Sequence, residues 1–399
     1  MKPSGTIPHW FDRARMAQVL AAAPATPCFV YDLDIVRDKV TALRAAMPTG
    51  LAIHYAMKAN PLPAVVSAIV PLVDGIDIAS GGELPVALAA GAGHISFAGP
   101  GKRDPELEAG IAAGVTINLE SEGEARRALA IAERLGITPR LAVRVNPDFA
   151  LKGSGMKMGG GAAAFGVDAE RAAALVRSIV AAGADWRGFH IFAGSQALDA
   201  AAIAATQAAT VLLAGRLSAE AGQMPPLVNL GGGFGIPYFG NEQPVDIASI
   251  GSSLADVLAN RPDSLSGARF ALELGRWLVG EAGVYLATVI DRKDSRGETF
   301  LVTDGGLHHQ LAASGNFGTV VRRNYPIAIA SRFGAPATAT VNVVGCLCTP
   351  LDRLGDQVAL PHADVGDVVA VFMAGAYGAT ASPSAFLGHG PANEVMISL

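Results

Sequence analysis

Short apolar runs rich in branched side chains recur between Ala52 and Leu274, each followed by an Ala-rich stretch with apolar residues at helical spacing. Runs near Ala52–Met57, Ile76–Ala79, Ile95–Ala98, Val115–Leu119, Leu141–Val145, Gly188–Phe192, Leu227–Leu230 and Arg269–Leu272 predict strands. Segments between them, such as Gly82–Ala90, Glu122–Leu135 and Ala169–Ala182, predict helices. Eight such units over roughly 220 residues fit a closed (β/α)8 TIM barrel better than an open doubly wound sheet. The widest interval, from Val145 to Gly188, contains a Gly- and Met-rich insertion, Lys152 to Gly161, expected to be a mobile loop at the barrel mouth. Beyond Val284 the texture changes. Tyr285–Asp291, Thr299–Asp304, Ala337–Val344 and Val368–Met373 predict strands without helices between them, an all-β C-terminal domain. The segment through Cys28-Phe29-Val30-Tyr31 is expected to add to it, so that the barrel spans 34–283 and the β-domain takes 1–33 and 284–399.

Composition narrows the function classes. Of the 399 residues 51% are hydrophobic and 16% charged, enough for a large core and too apolar for long disordered segments. A net charge of -5 and dispersed basic residues argue against nucleic acid as a partner. Cys28, Cys346 and Cys348 cannot make an even disulfide framework, which suits a reducing compartment. Cys346 and Cys348 lack further ligands nearby in sequence, so no metal site is expected. The start of the chain has no signal-peptide core, and no uninterrupted apolar run reaches the length of a membrane span. These features together predict a soluble cytoplasmic protein with no membrane partner.

Catalytic groups of such barrels lie at the C-terminal ends of strands. Lys58 ends the first run, just before Asn60 and Pro61, which stop a strand. A lysine there is expected to lose hydration and to act as an imine-forming nucleophile. Ser80-Gly81-Gly82-Glu83 follows the second run, Ser195-Gln196 the sixth, Gly231-Gly232-Gly233-Phe234-Gly235 the seventh, and Glu273-Leu274-Gly275-Arg276 the eighth. Successive glycines let backbone N–H groups approach an anion. A lysine for an aldehyde, glycines for a phosphate and a carboxylate for a protonated ring nitrogen are what pyridoxal 5'-phosphate requires.

These residues carry a family resemblance over nearly the whole chain, from Pro27 to Val395. Tyr55-Ala56-Met57-Lys58-Ala59-Asn60 resembles the Schiff-base lysine motif of the fold-type III pyridoxal phosphate decarboxylases, the diaminopimelate and ornithine decarboxylase group. Asp77 to Leu84 resembles its second-strand motif, Leu230 to Gly235 its phosphate loop, and Glu273-Leu274-Gly275-Arg276 its Glu-Pro-Gly-Arg motif with leucine for proline. Gly345-Cys346-Leu347-Cys348-Thr349-Pro350-Leu351-Asp352 resembles the catalytic-cysteine motif, making Cys348 the matching thiol. Gly375-Ala376-Tyr377 resembles the segment whose tyrosine reaches the cofactor phosphate.

The resemblance implies an alanine-racemase-like barrel with a β-domain, in a head-to-tail homodimer where Cys348 and Asp352 of one subunit complete the other's site. It implies cofactor contacts from Lys58, Phe192, Ser195, Gly231, Gly232, Gly233, Glu273, Gly275, Arg276 and Tyr377, and catalysis by Lys58 and Cys348. Substrate contacts are implied for Arg276, Arg322 or Arg323, Thr349 and Asp352. The implied activity is amino acid decarboxylation. A racemase on the same barrel and a non-catalytic cofactor-binding protein are the alternatives, disfavoured by Glu273, the Cys348 motif and the size of the β-domain.

Three departures bear on the substrate. Phe192 stands where the family places a histidine on the cofactor ring, and His190 reads as a core residue. Thr349 replaces the acidic residue that reads a distal ammonium, and a desolvated charge pair of that kind is worth about 2–5 kcal/mol. Phe386 to Val395 lacks the family's arginines, and Arg322-Arg323-Asn324-Tyr325-Pro326 matches its substrate segment only approximately. The pattern points away from diaminopimelate, lysine and ornithine. It resembles a divergent branch found with exosortase and exopolysaccharide gene sets, and is compatible with a free amino acid or one tethered to a carrier protein.

Overall fold

The computed structural model describes residues 1–315 and 323–398. The chain divides into two units, Lys39–Gly235 with Pro244–Gly275, and Met1–Asp38 with Ile236–Gln243 and Arg276–Leu399. Arg322 lies outside the described residues.

The first strand of the chain, β1 (Cys28–Asp32), belongs to the second unit. The first unit is a closed parallel barrel. Its strands are β2 (Ala52–Ala56), β3 (Gly75–Ile78), β4 (Ile95–Phe97), β5 (Thr116–Leu119), β6 (Arg140–Asn146), β7 (Asp185–Ile191), β8 (Leu227–Gly232) and β9 (Arg269–Leu274). Each pairs in parallel with the next, and β9 pairs with β2, so the open-sheet alternative is excluded. The strands are buried on both faces, which is why they read as continuous apolar runs rather than alternating ones.

Local signals fix the helices between them. The helix Glu122–Leu135 starts where Ser121 Oγ accepts the Glu124 N–H at 3.0 Å and ends at Gly136 in the left-handed region, φ 66°. It lays Ala125, Ala128, Ile131 and Ala132 on the barrel; burying Ile131 alone contributes about 1.5–3 kcal/mol. The helix Ala200–Ala221 reaches the length and mean hydropathy of a membrane span, although Gln207 and Arg216 interrupt its apolar run. Ile203, Val211, Leu213, Ala214 and Leu217 are buried in the barrel unit, which accounts for its apolar composition.

The insertion after β6 is not a detached flap. Its residues Met156–Lys157 pair antiparallel with Gly194–Ser195, and the Met158 N–H donates to the Ala193 carbonyl at 3.3 Å. The barrel unit also holds a buried ionic network. Lys102 Nζ is 2.7 Å from Glu124 Oε1, and Arg144 Nη1 is 2.8 Å from Glu120 Oε1, all four side chains being buried. Glu120 also accepts the N–H groups of Gly99 and Gly166, so both its oxygens are hydrogen-bonded.

The second unit is a mostly antiparallel sheet built on one long strand, β10 (Gly283–Ser295). The others are β11 (Glu298–Thr303), β12 (Ile327–Ile329), β13 (Ala339–Val344), β14 (Arg353–Leu360), β15 (Val368–Val371) and β16 (Asn393–Ile397). Their order is β12-β15-β10-β11-β13-β14, with β1 lying between β10 and β16. The N-terminal and C-terminal strands therefore share one sheet.

Candidate active site

Lys58 sits in a single 3-10 turn, Met57–Ala59, immediately after β2. The turn is anchored by Tyr55, whose hydroxyl donates to the Asn60 carbonyl at 2.9 Å. Gly275 passes so close that a Cβ there would stand 2.9 Å from the Ala56 carbonyl oxygen and 2.8 Å from Ala59 Cβ. Lys58 Nζ lies 3.8 Å from Glu273 Oε1 and 5.7 Å from the centre of the Phe192 ring. Its side chain is 43% exposed, so the expected loss of hydration is not met. The amine keeps access to solvent, with the Glu273 carboxylate 3.8 Å away.

Glu273 is the buried centre of this group. It is 5% exposed, and its Oε2 stands 2.8 Å from His190 Nε2, itself in a side chain 3% exposed. Burial opposes ionisation of Glu273, but the His190 hydrogen bond and the Lys58 charge outweigh it and hold the carboxyl below its ordinary range. An ionised Glu273 accepts, so His190 carries its proton on Nε2. The histidine that sequence reading assigned to the core is thus the direct partner of the candidate ring-nitrogen carboxylate. The available signal was its position on β7, two residues before Phe192.

The glycine run closes the end of β8. Gly231 and Gly233 have φ of 68° and 80°, where residues with a side chain are strained. A Cβ at Gly231 would stand 2.7 Å from the Ile191 carbonyl oxygen, and one at Gly232 would overlap the Glu273 carbonyl. Asn229 Oδ1 accepts the Gly231 N–H at 2.9 Å and holds the turn. Ser195 is half-buried in the short strand that pairs with the insertion.

In the second unit, Arg276 Nη1 donates to the Tyr238 hydroxyl at 2.7 Å, and its guanidinium lies 4.7 Å from the centre of the Tyr377 ring. Arg276 Nε is buried with no hydrogen-bond partner among the described residues. Tyr377 has φ 54°, a conformation uncommon for a residue with a side chain. Arg323 stacks on Phe239 at 3.6 Å and pairs with Glu242 at 3.3 Å. Cys348 is exposed, and Thr349 is half-buried with its Oγ1 accepting the Leu351 N–H at 3.3 Å. Asp352 is 2% exposed, and its carboxylate accepts the N–H groups of Leu307 at 2.6 Å and Leu347 at 2.9 Å. It is occupied in ordering two loops of its own unit.

Within the barrel unit these residues fit pyridoxal phosphate on two counts. Glu273 is an acceptor kept ionised in a buried place, and the glycine run has room only for backbone, which suits an anion.

Comparison with known proteins agrees. Residues 33–280 match the family model described as pyridoxal-dependent decarboxylase, pyridoxal binding domain. The chain is 36% identical over 381 residues to the L-glutamyl-(BtrI acyl-carrier protein) decarboxylase of Niallia circulans, covering 93% of this chain and 88% of that protein. It is 31% identical over 373 residues to the diaminopimelate decarboxylase of Aquifex aeolicus, covering 90% and 84%. Among solved structures, the Helicobacter pylori diaminopimelate decarboxylase complexed with L-lysine superposes with a TM-score of 0.83 at 26% identity, over 96% of this chain and 94% of that one.

Proposed function

The chain belongs to the pyridoxal-dependent decarboxylase family, and from that premise we propose that it decarboxylates an amino acid presented by an acyl carrier protein, with no ammonium at the distal end. The observation that carries the chemistry is Glu273, buried, ionised and hydrogen-bonded to His190, 3.8 Å from Lys58. Pyridoxal phosphate, when bound, supplies the electron sink for the pair left on the α-carbon as carbon dioxide departs.

The residues divide the remaining work. Lys58 would hold the cofactor aldehyde, and its access to solvent would let Nζ exchange protons. Glu273 keeps a proton on the ring nitrogen, and His190 keeps Glu273 ionised. Phe192 offers a ring face but no charge. Ser195 and the N–H groups of Gly231, Gly232 and Gly233 would bind phosphate, a task we also assign to Arg276 and Tyr377, while Gly275 lets the chain pass close to the Lys58 turn. Cys348 returns a proton to the substrate α-carbon. We assign the enzyme a homodimer in which Cys348 of one protomer serves the barrel of its partner. Asp352 holds the Cys348 loop in shape, and a substrate carboxylate falls to Arg276, Arg322 or Arg323, with Arg323 already paired to Glu242.

Thr349 supports the substrate class. A neutral hydroxyl gives a buried distal ammonium no counter-charge, whereas it leaves a glutamyl-type side chain unopposed. The relative from Niallia circulans, named for a glutamyl group on a carrier protein, supports the same class. The test measures carbon dioxide release from free L- and D-amino acids and from the same amino acids loaded on a carrier protein. Turnover of carrier-bound glutamate, with free lysine, ornithine and diaminopimelate inert, is the expected result. Efficient turnover of the free amino acids with carrier-bound ones ignored would sink the proposal.

A further inference from the structure

Three side chains distant in sequence meet in the β-unit, and none of them has a role in the reaction described above. His308 lies in the turn after β11, Cys346 in the loop between β13 and β14, and His389 in the segment before β16. Their ligand atoms all lie within 4.8 Å of one another, and Cys346 Sγ stands 3.8 Å from His389 Nδ1.

We infer that His308, Cys346 and His389 form a binding site for a zinc-type divalent cation, with a fourth coordination position left to water. Tetrahedral zinc bonds of roughly 2.0–2.3 Å put ligand atoms about 3.3–3.6 Å apart, so the three side chains need only a small closure to reach coordination distance. Imidazole with a thiolate is a borderline-soft donor set that selects zinc over magnesium or calcium.

His308 is the second, independent observation. It is 0% exposed, yet neither ring nitrogen has a hydrogen-bond partner among the described residues. Buried polar atoms are normally satisfied. Its neighbour His309 obeys that rule, with Nδ1 3.0 Å from the Tyr285 hydroxyl and Nε2 3.0 Å from the Gly390 carbonyl. His308 is therefore not an ordinary core histidine, and its ring lies 4.9 Å from that of His389.

The support around the site is also in place. Asp352 accepts the N–H groups of Leu307 and Leu347, the residues adjoining His308 and Cys346. One buried carboxylate thereby fixes both loops, as outer groups do around metal ligands. On binding, the Cys346 thiol gives its proton to solvent and the sulfur coordinates as thiolate. The cation would clasp the turn after β11, the loop bearing Cys348 and the segment leading into β16.

The test uses full-length holoenzyme stripped with a chelator and titrated with cobalt(II). A saturable thiolate-to-cobalt charge-transfer band with tetrahedral d–d bands, one cobalt per chain and displaced by zinc, is expected. Cys346→Ser should abolish the charge-transfer band, and Cys348→Ser should keep it. His389→Ala, at an exposed position that folding tolerates, should weaken zinc binding by roughly a hundredfold or more, since groups that only orient ligands are worth about 10–100-fold. The visible absorbance of bound cofactor serves as the folding check in each variant. Absence of a cobalt band in the unaltered protein, or a band that survives Cys346→Ser or is lost in Cys348→Ser, would overturn the assignment.

Discussion

His190 Nε2 stands 2.8 Å from Glu273 Oε2, the two residues reaching each other from β7 and β9 with β8 between them. Removing the donor leaves the carboxyl buried without the bond that keeps it ionised. His190→Leu should retain cofactor but lower kcat by roughly tenfold to a hundredfold, less than the loss of a group touching the reacting atoms. The sign of the pH effect follows from the depressed Glu273 pKa. Its stabilising contribution is present above the unfolded value near ~4.3 and lost as pH falls through the lower folded value. In His190→Leu the folded value rises, so the acid limb of activity and the onset of acid unfolding should both move to higher pH. His190→Gln, which can still donate, should restore most of both. An unmoved pH profile in His190→Leu would reduce the histidine to packing.

Lys58→Ala should abolish the visible band of lysine-bound cofactor, while leaving far-ultraviolet circular dichroism unchanged. Because Lys58 is 43% exposed, the truncation opens no cavity and should cost little stability. A surviving band would assign the anchoring amine elsewhere.

Cys348→Ala should keep that band and lose roughly 10²–10⁴-fold in turnover, the range of a positioned proton donor. Mixing this variant with Lys58→Ala under subunit exchange tests the shared-site dimer. If Cys348 serves the partner's barrel, random reassortment restores roughly a quarter of the unaltered rate. No recovery after confirmed exchange would place both residues in the same protomer's site.

Lys102 gives a prediction about stability. Its Nζ lies 2.7 Å from Glu124 Oε1, with the two side chains 1% and 2% exposed. Lys102→Met should destabilise the barrel by about 3–5 kcal/mol by leaving a buried carboxylate unpaired. Adding Glu124→Gln should recover part of that loss in urea unfolding. A single variant as stable as the unaltered protein would show the pair to be dispensable.

The barrel was legible because its strands are buried on both faces, and Glu122–Leu135 was bounded correctly because Ser121 and Gly136 cap it. The strand β14 was hidden by Gly355, Asp356 and Gln357, a turn-like triplet in which Gln357 takes φ 51°. The insertion reads as a floppy loop because its glycines and lysines carry no strand pattern. Only its partner Gly194–Ser195, distant in sequence, lays it down as a strand. His190 was underread for a related reason. Strand alternation places a residue inside a barrel without naming what it faces, and Glu273 is reached only when the strands close. His308, Cys346 and His389 lie on three separate loops, so no ligand spacing along the chain announces them.

The glycine at position 232 ties two functions into one mechanical part. A side chain there would drive into the Glu273 carbonyl, so anything that widens the turn proposed to hold phosphate would also displace the carboxylate proposed for the other end of the cofactor. On the proposed reading, both ends of the cofactor would then report to one backbone contact between Gly232 and Glu273. A library aimed at new substrates should therefore leave positions 231 to 233 untouched, since a side chain at any of the three meets backbone within 3 Å.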